Sequence, residues 1–192
     1  MRKGAYSVLT VTALVSSGLC PAACRPAAGG NGPATGAISV VSGSAADNGV
    51  AGDGAGQPVA GVATPPARWI ELGTTDSAIG KTIAEVHGHR LYRFDRDRTR
   101  PATSTCTGNC AVTWPPVTIA PGGTVYVTGV AEDEVGAIRR ADGRVQLTLD
   151  DSPIYTYSRD QAPGDLSGQA AGGTWFALAP NGFKITDPSG PR

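Results

Sequence analysis

The sequence predicts a mainly β fold: an antiparallel sandwich or barrel-like domain built from two imperfect repeats and preceded by a disordered linker. Three observations carry this. A short segment occurs twice, as "LYRFDRD" at 91–97 and "IYTYSRD" at 154–160. Runs of Val, Ile, Thr, Tyr and Leu alternate with turn chemistry such as "VHGHRL", "APGG", "ADGR", "DDSP" and "APNG". No segment after residue 66 sustains a helical period.

At the N-terminus, "MRKG" precedes an uncharged run from Ala5 to Leu19 and small residues around "CPAAC". That order of charge, apolar run and small residues reads as a secretory signal over 1–23, too short to span a bilayer. Cys24, with Ala22 and Ala23 in the small positions, fits the pattern of a cysteine that is lipidated and becomes residue one; Cys20, after Leu19, fits it less well. The expected location is therefore extracytoplasmic, on the outer face of the cell membrane, with the membrane as partner through palmitate-type chains on Cys24. Because Pro21 stands where the pattern has Leu or Val, ordinary cleavage near the alanines and a secreted protein is the alternative.

Residues 24–66 are dominated by Ala, Gly, Ser, Pro and Val, with no aromatic residue and almost no charge. Such a stretch buries too little surface to offset the entropy of ordering, and it reads as a flexible tether. Its reach is roughly 35 Å by the square-root law. The rest, 67–192, is the size of one domain, divided into halves at about 67–128 and 129–192.

The chain carries 16 basic and 16 acidic side chains, and removal of Arg2 and Lys3 with the signal leaves 14 against 16. With no basic stripe, nucleic acid is not an expected partner. An envelope protein or a small ligand is.

The repeat sets Tyr92 against Tyr155, Phe94 against Tyr157 and Asp97 against Asp160 at an offset of 63, and Trp114 against Trp175 at 61. Upstream, "AIGKTI" resembles "EVGAIR". In "RVQLTLD", Val145, Leu147 and Leu149 alternate with Gln146 and Thr148, which predicts one apolar face on a half-buried strand. From Ala137 to Tyr157 the pattern predicts a three-stranded meander.

Taken in order, "LYRFDRD", "CTGNCAVTWPP", "VGAIRRADGRVQLTLDDSPIYTYSRDQAPGD" and "GGTWFALAPNG" resemble a family of predicted bacterial lipoproteins with a Yx(FWY)xxD motif, also described as a secreted repeat of unknown function. The resemblance implies an extracytoplasmic location, a lipid anchor in many members and a twice-repeated β unit. It supplies no activity and no catalytic set. Where the family tends to have an Asp-Gly turn before the Leu-Tyr pair, this chain has "HGH".

Side-chain alternation points Tyr92 and Phe94 one way, and Tyr155 and Tyr157 likewise. Such pairs form a ligand-stacking cleft, an electron relay or, the reading we adopt, a core in which the tyrosine hydroxyls reach buried partners. Trp114 and Trp175 read as core too. Asp97 and Asp160 stand at strand ends, where a carboxylate accepts from turn N–H groups; a paired acid and base for hydrolysis is the other reading.

His87 and His89, with Cys106 and Cys110, make the two-His, two-Cys inventory of a zinc site, and imidazole suits copper equally. Against a metal, Gly88 splays the histidines, and exported thiols meet oxidising conditions. Cys106 and Cys110 read as a structural disulfide, and no cofactor is expected. With no nucleophile elbow, phosphate loop, HExxH or dinucleotide fingerprint, the expectation is a non-enzymatic surface module. The alternative is an extracytoplasmic redox or metal-handling protein using the histidines and motif tyrosines.

Overall fold

The computed structural model describes residues 38–51, 66–77, 79–84 and 88–186. The signal, Cys24 and His87 lie outside them.

Among the described residues, eleven strands and one short α-helix follow each other as β1 (Ser39–Ser42), β2 (Ala67–Ser77), β3 (Gly80–Ala84), β4 (Tyr92–Phe94), β5 (Arg98–Thr99), β6 (Ala102–Thr103), α1 (Asn109–Thr113), β7 (Thr118–Val127), β8 (Val135–Arg139), β9 (Val145–Leu149), β10 (Ser152–Pro153) and β11 (Trp175–Ala177). Seven of them form one curled sheet, a half-barrel in the order β10-β9-β7-β2-β3, with β1 added to β7 and β8 to β9. The mainly β class and the two-repeat construction are as the sequence predicts. The sheet, however, is mixed: β7 runs parallel to both β1 and β2, and antiparallel to β9. The chain from Ser77 to Thr118 is long enough for the crossover that a parallel pair requires.

β1 corrects the tether reading of 24–66. Within that small-residue stretch, "ISVVS" places Val40 and Val41 beside Val125 and Tyr126 of β7, and Ile38 and Val40 pack against the main core. A β-branched pair with a ready sheet edge overcomes the composition of its surroundings.

"APGG" is a second correction. It does not reverse the chain but lies inside β7, where the register with β2 jumps from Ala67↔Ile119 to Trp69↔Thr124. Extra residues on one strand of a pair make a bulge, and Gly123 fits there because a Cβ would stand 2.8 Å from the Arg68 carbonyl oxygen.

The meander stands as β8, β9 and β10. Asp150 and Asp151, both at positive φ, make the two-residue turn between Leu149 and Ser152, the backbone that the right-handed twist of a hairpin favours. In β9 the predicted alternation is present, but the polar face is buried as well: all five residues are inside. Gln146 is satisfied there, donating to the Ile154 carbonyl at 2.9 Å and accepting from Arg140 at 2.6 Å. Gln146, on one face, is covered by Arg140, and on the opposite face Val145, Leu147 and Leu149 enter one of two cores. One is aliphatic, with Leu72, Ile119, Leu147, Leu149 and Ile154; the other is aromatic, with Tyr92, Trp114, Tyr155 and Trp175.

Candidate functional site

The two repeats cross. Rather than folding on itself, the motif strand of each repeat pairs with the Trp segment of the other. β4 runs antiparallel to β11, aligning Phe94 with Trp175 and Tyr92 with Ala177. At the equivalent place, Tyr155 bridges Pro116 and the Thr156 amide donates to the Pro115 carbonyl at 2.9 Å. The backbone bonds match one for one. Leu178 to Leu91 (3.0 Å) corresponds to Val117 to Ile154 (3.1 Å), and Asp95 to Thr174 (2.8 Å) to Ser158 to Thr113 (3.0 Å). On the pseudo-two-fold axis, Tyr92 and Tyr155 exchange both backbone bonds, at 2.8 and 2.9 Å.

The motif side chains cross in the same way. The Tyr92 hydroxyl donates to Asp160 at 2.7 Å, and the Tyr155 hydroxyl to Asp97 at 2.5 Å. Each carboxylate uses its other oxygen to hold the loop that follows it. Asp97 accepts from the amide and hydroxyl of Thr105 at 2.7 and 2.8 Å, and Asp160 from the Ser167 amide at 2.9 Å. Burial first, and the neighbouring carboxylate second, push both phenols well above the ordinary tyrosine range. Asp160 itself is raised, because burial outweighs the hydrogen bonds from Tyr92 and Ser167.

Crossing also stacks the remaining aromatics into one column. Phe94 lies on Trp175 (centroids 4.2 Å, 11°), Trp175 on Trp114 (3.9 Å, 2°) and Trp114 on Tyr157 (4.2 Å, 26°). Tyr92 meets Trp114 edge-on at 5.4 Å, and Tyr155 meets Trp175 edge-on at 5.1 Å. The two indoles are buried, whereas Phe94 and Tyr157, at the ends, are half-buried.

Residues 73–118 and 136–179 match the model of a family described as a secreted repeat of unknown function. The two matches coincide with the two crossed units. No curated protein and no solved structure matches the chain.

Around this shared frame, the two copies of the repeat are finished differently. On the Tyr155–Asp97 side, Arg140 is buried and donates to Ser104 at 2.5 Å, to Gln146 at 2.6 Å and to the Cys106 carbonyl at 2.7 Å. With the phenolic proton committed to Asp97, Ser104 donates to the Tyr155 oxygen at 2.8 Å. The loop is closed by a disulfide between Cys106 and Cys110, Cα atoms 5.2 Å apart, leading into α1 and Trp114. On the Tyr92–Asp160 side, Gly168 follows Ser167 as Cys106 follows Thr105. A Cβ on Gly168 would come within 2.8 Å of Trp114 Cη2 and 2.9 Å of Tyr92 Cε1, so glycine is what admits the loop to the ring pair.

The structure thus gathers Tyr92, Phe94, Asp97, Trp114, Tyr155, Tyr157, Asp160 and Trp175 into one place. Both aspartates serve their turns and a tyrosine at once. The cysteines are joined to each other, so the four-ligand set with His87 and His89 has no free thiolates. His89 is half-buried beside Gly88. Arg140, Ser104, Gln146 and Gly168 escaped the sequence reading; the alignment of "STC" with the "SG" before "QAAGGTW" was the available signal for the loop pair.

Proposed function

We propose that the chain is a non-enzymatic surface module of the cell envelope, anchored through lipid on Cys24 to the outer face of the membrane and serving an envelope protein or small ligand. The observation that carries this reading is the engagement of every motif group inside the fold. Both carboxylates and both phenols are bonded to one another or to turn backbone, which is the work of a brace between repeats. The match to a secreted repeat supports the extracytoplasmic location.

Metabolic labelling with palmitate and fractionation of cells test the anchor. The wild-type chain is expected to carry label and sediment with membranes, and Cys24→Ala to lose label and enter the medium. A wild-type chain found unlabelled in the medium overturns the anchored reading. For the non-enzymatic part, Asp97→Asn and Asp160→Asn variants that fold are expected to restore the envelope phenotype of a deletion strain; folded variants that fail overturn it.

A further inference from the structure

A brace accounts for the hydrogen-bonded tyrosine–aspartate pairs; it does not require the two indoles to lie parallel and face to face. Parallel indoles with centroids 3.9 Å apart overlap face to face, so a positive charge left on one by loss of an electron is shared with the other. Tyr92 and Tyr155 each touch one of those indoles edge-on. A buried phenol is protonated at neutral pH, so it gives up an electron readily only if its proton has somewhere to go at the same moment. Asp160 at 2.7 Å and Asp97 at 2.5 Å are such acceptors, already in line. Tyr157 ends the column against Trp114 and is half-buried, so the column is partly open to solvent at that end.

We propose that the column is a relay and trap for single oxidising equivalents: an oxygen-centred radical takes one electron at the Tyr157–Trp114 end, and the hole comes to rest on Tyr92 or Tyr155 as a neutral phenoxyl radical. The oxidant gains one electron and the indole pair becomes a radical cation. An electron from Tyr92 or Tyr155 then restores the indoles; the phenolic O–H bond breaks and its proton forms an O–H bond on Asp160 or Asp97. A thiolate returns one electron to the phenoxyl oxygen and becomes a thiyl radical, and the carboxyl returns the proton. Nothing in this sequence depends on the lipid anchor, so the two proposals fail separately.

The test is flash photolysis of the full chain with a ruthenium polypyridyl sensitiser and persulfate, followed by transient absorption and by electron paramagnetic resonance on frozen samples. Expected is an indole radical that decays as a tyrosyl radical grows, with the growth slower in D2O. Tyr92→Phe/Tyr155→Phe is expected to prolong the indole radical and to lose that growth phase. Unchanged indole decay in a folded double variant overturns the proposal. Should the double variant not fold, Asp97→Asn/Asp160→Asn decides: it keeps the rings but removes the proton acceptors, and a growth rate and solvent isotope effect equal to the wild type overturn the proposal as well.

Discussion

The two crossed tyrosine–aspartate pairs share a frame and differ in everything that closes them. Tyr155–Asp97 sits under a disulfide-clipped loop and is backed by Ser104 and the buried Arg140. Tyr92–Asp160 has no clip, and the buried Arg90 beside it acts on Tyr92 through its charge rather than through a hydrogen bond to the pair; its loop is admitted by Gly168, and Asp160 is the deeper aspartate, 6% exposed. The repeat therefore specifies a geometry, not a set of neighbours. One copy meets the demand with covalent and ionic reinforcement, the other with a close approach of backbone to ring. Since each copy's motif is completed by the other's Trp segment, neither repeat buries its apolar face alone.

The largest effects are expected where the copies are most alike. Trp114→Ala and Trp175→Ala should each cost about 3–5 kcal/mol in denaturant unfolding, the range for deleting a buried large aromatic. Equal losses support the crossed equivalence. A loss confined to one indole would break it, because the stack and its edge-on tyrosine are matched on the two sides.

Next is the clip. Cys106→Ser/Cys110→Ser should cost roughly 2 kcal/mol, the chain-entropy value for so short a loop. Hydrogen exchange should show the loss locally: amides of 104–114 lose protection, while Ser167 and its neighbours around Asp160 keep theirs. Equal loosening of both loops would mean that the disulfide braces the whole domain rather than one copy.

Much of this was legible in the sequence and some was not, for physical reasons. Tyr92, Phe94, Asp97 and their counterparts announce themselves because they recur in spacing. That they cross between repeats is invisible, since an intra-repeat and an inter-repeat pairing demand the same residue types. "SVVS" was hidden by the composition around it, and "APGG" carries the residues of a turn and a bulge alike. Gln146 reads as a polar residue on the open face of a half-buried strand because alternation reveals which face a side chain takes, not whether other residues cover that face.

A finer difference separates the two hydroxyls. Tyr92→Phe strips the deep Asp160 of its phenol partner and should cost about 2 kcal/mol, the range for a buried hydrogen bond to a charged group. In Tyr155→Phe, half-buried Asp97 keeps two bonds from Thr105 and Ser104 keeps Arg140, so the loss should be about 1 kcal/mol. Thermal melts of the two variants measure the gap. A larger loss for Tyr155→Phe would show that the Arg140 chain, not depth, sets the strength of the pair.

The smallest effect has opposite signs on the two sides. Beside Arg140, Asp142 is opposed by its partial burial, but hydrogen bonds from Arg144 and Arg140 bring it down to about 2 from an ordinary 3.8. A lowered carboxylate contributes stability that is full above the unfolded value and is lost as pH falls from there toward the folded one. Asp142 is 40% exposed, so screening by solvent should hold this contribution below about 1 kcal/mol. Asp160 is raised, chiefly by burial, so the folded state takes up its proton before the unfolded state does, and stability rises as pH falls through the folded value toward 3.8. Urea midpoints followed from neutral pH into acid separate the two. Asp142→Asn should flatten the decline between pH 3.8 and about 2, and Asp160→Asn should remove the gain above it. If Asp160→Asn leaves that upper limb unchanged, the deeper pair is not the one that the fold strains to keep ionised, and the contrast between a reinforced copy and a buried copy loses its electrostatic half.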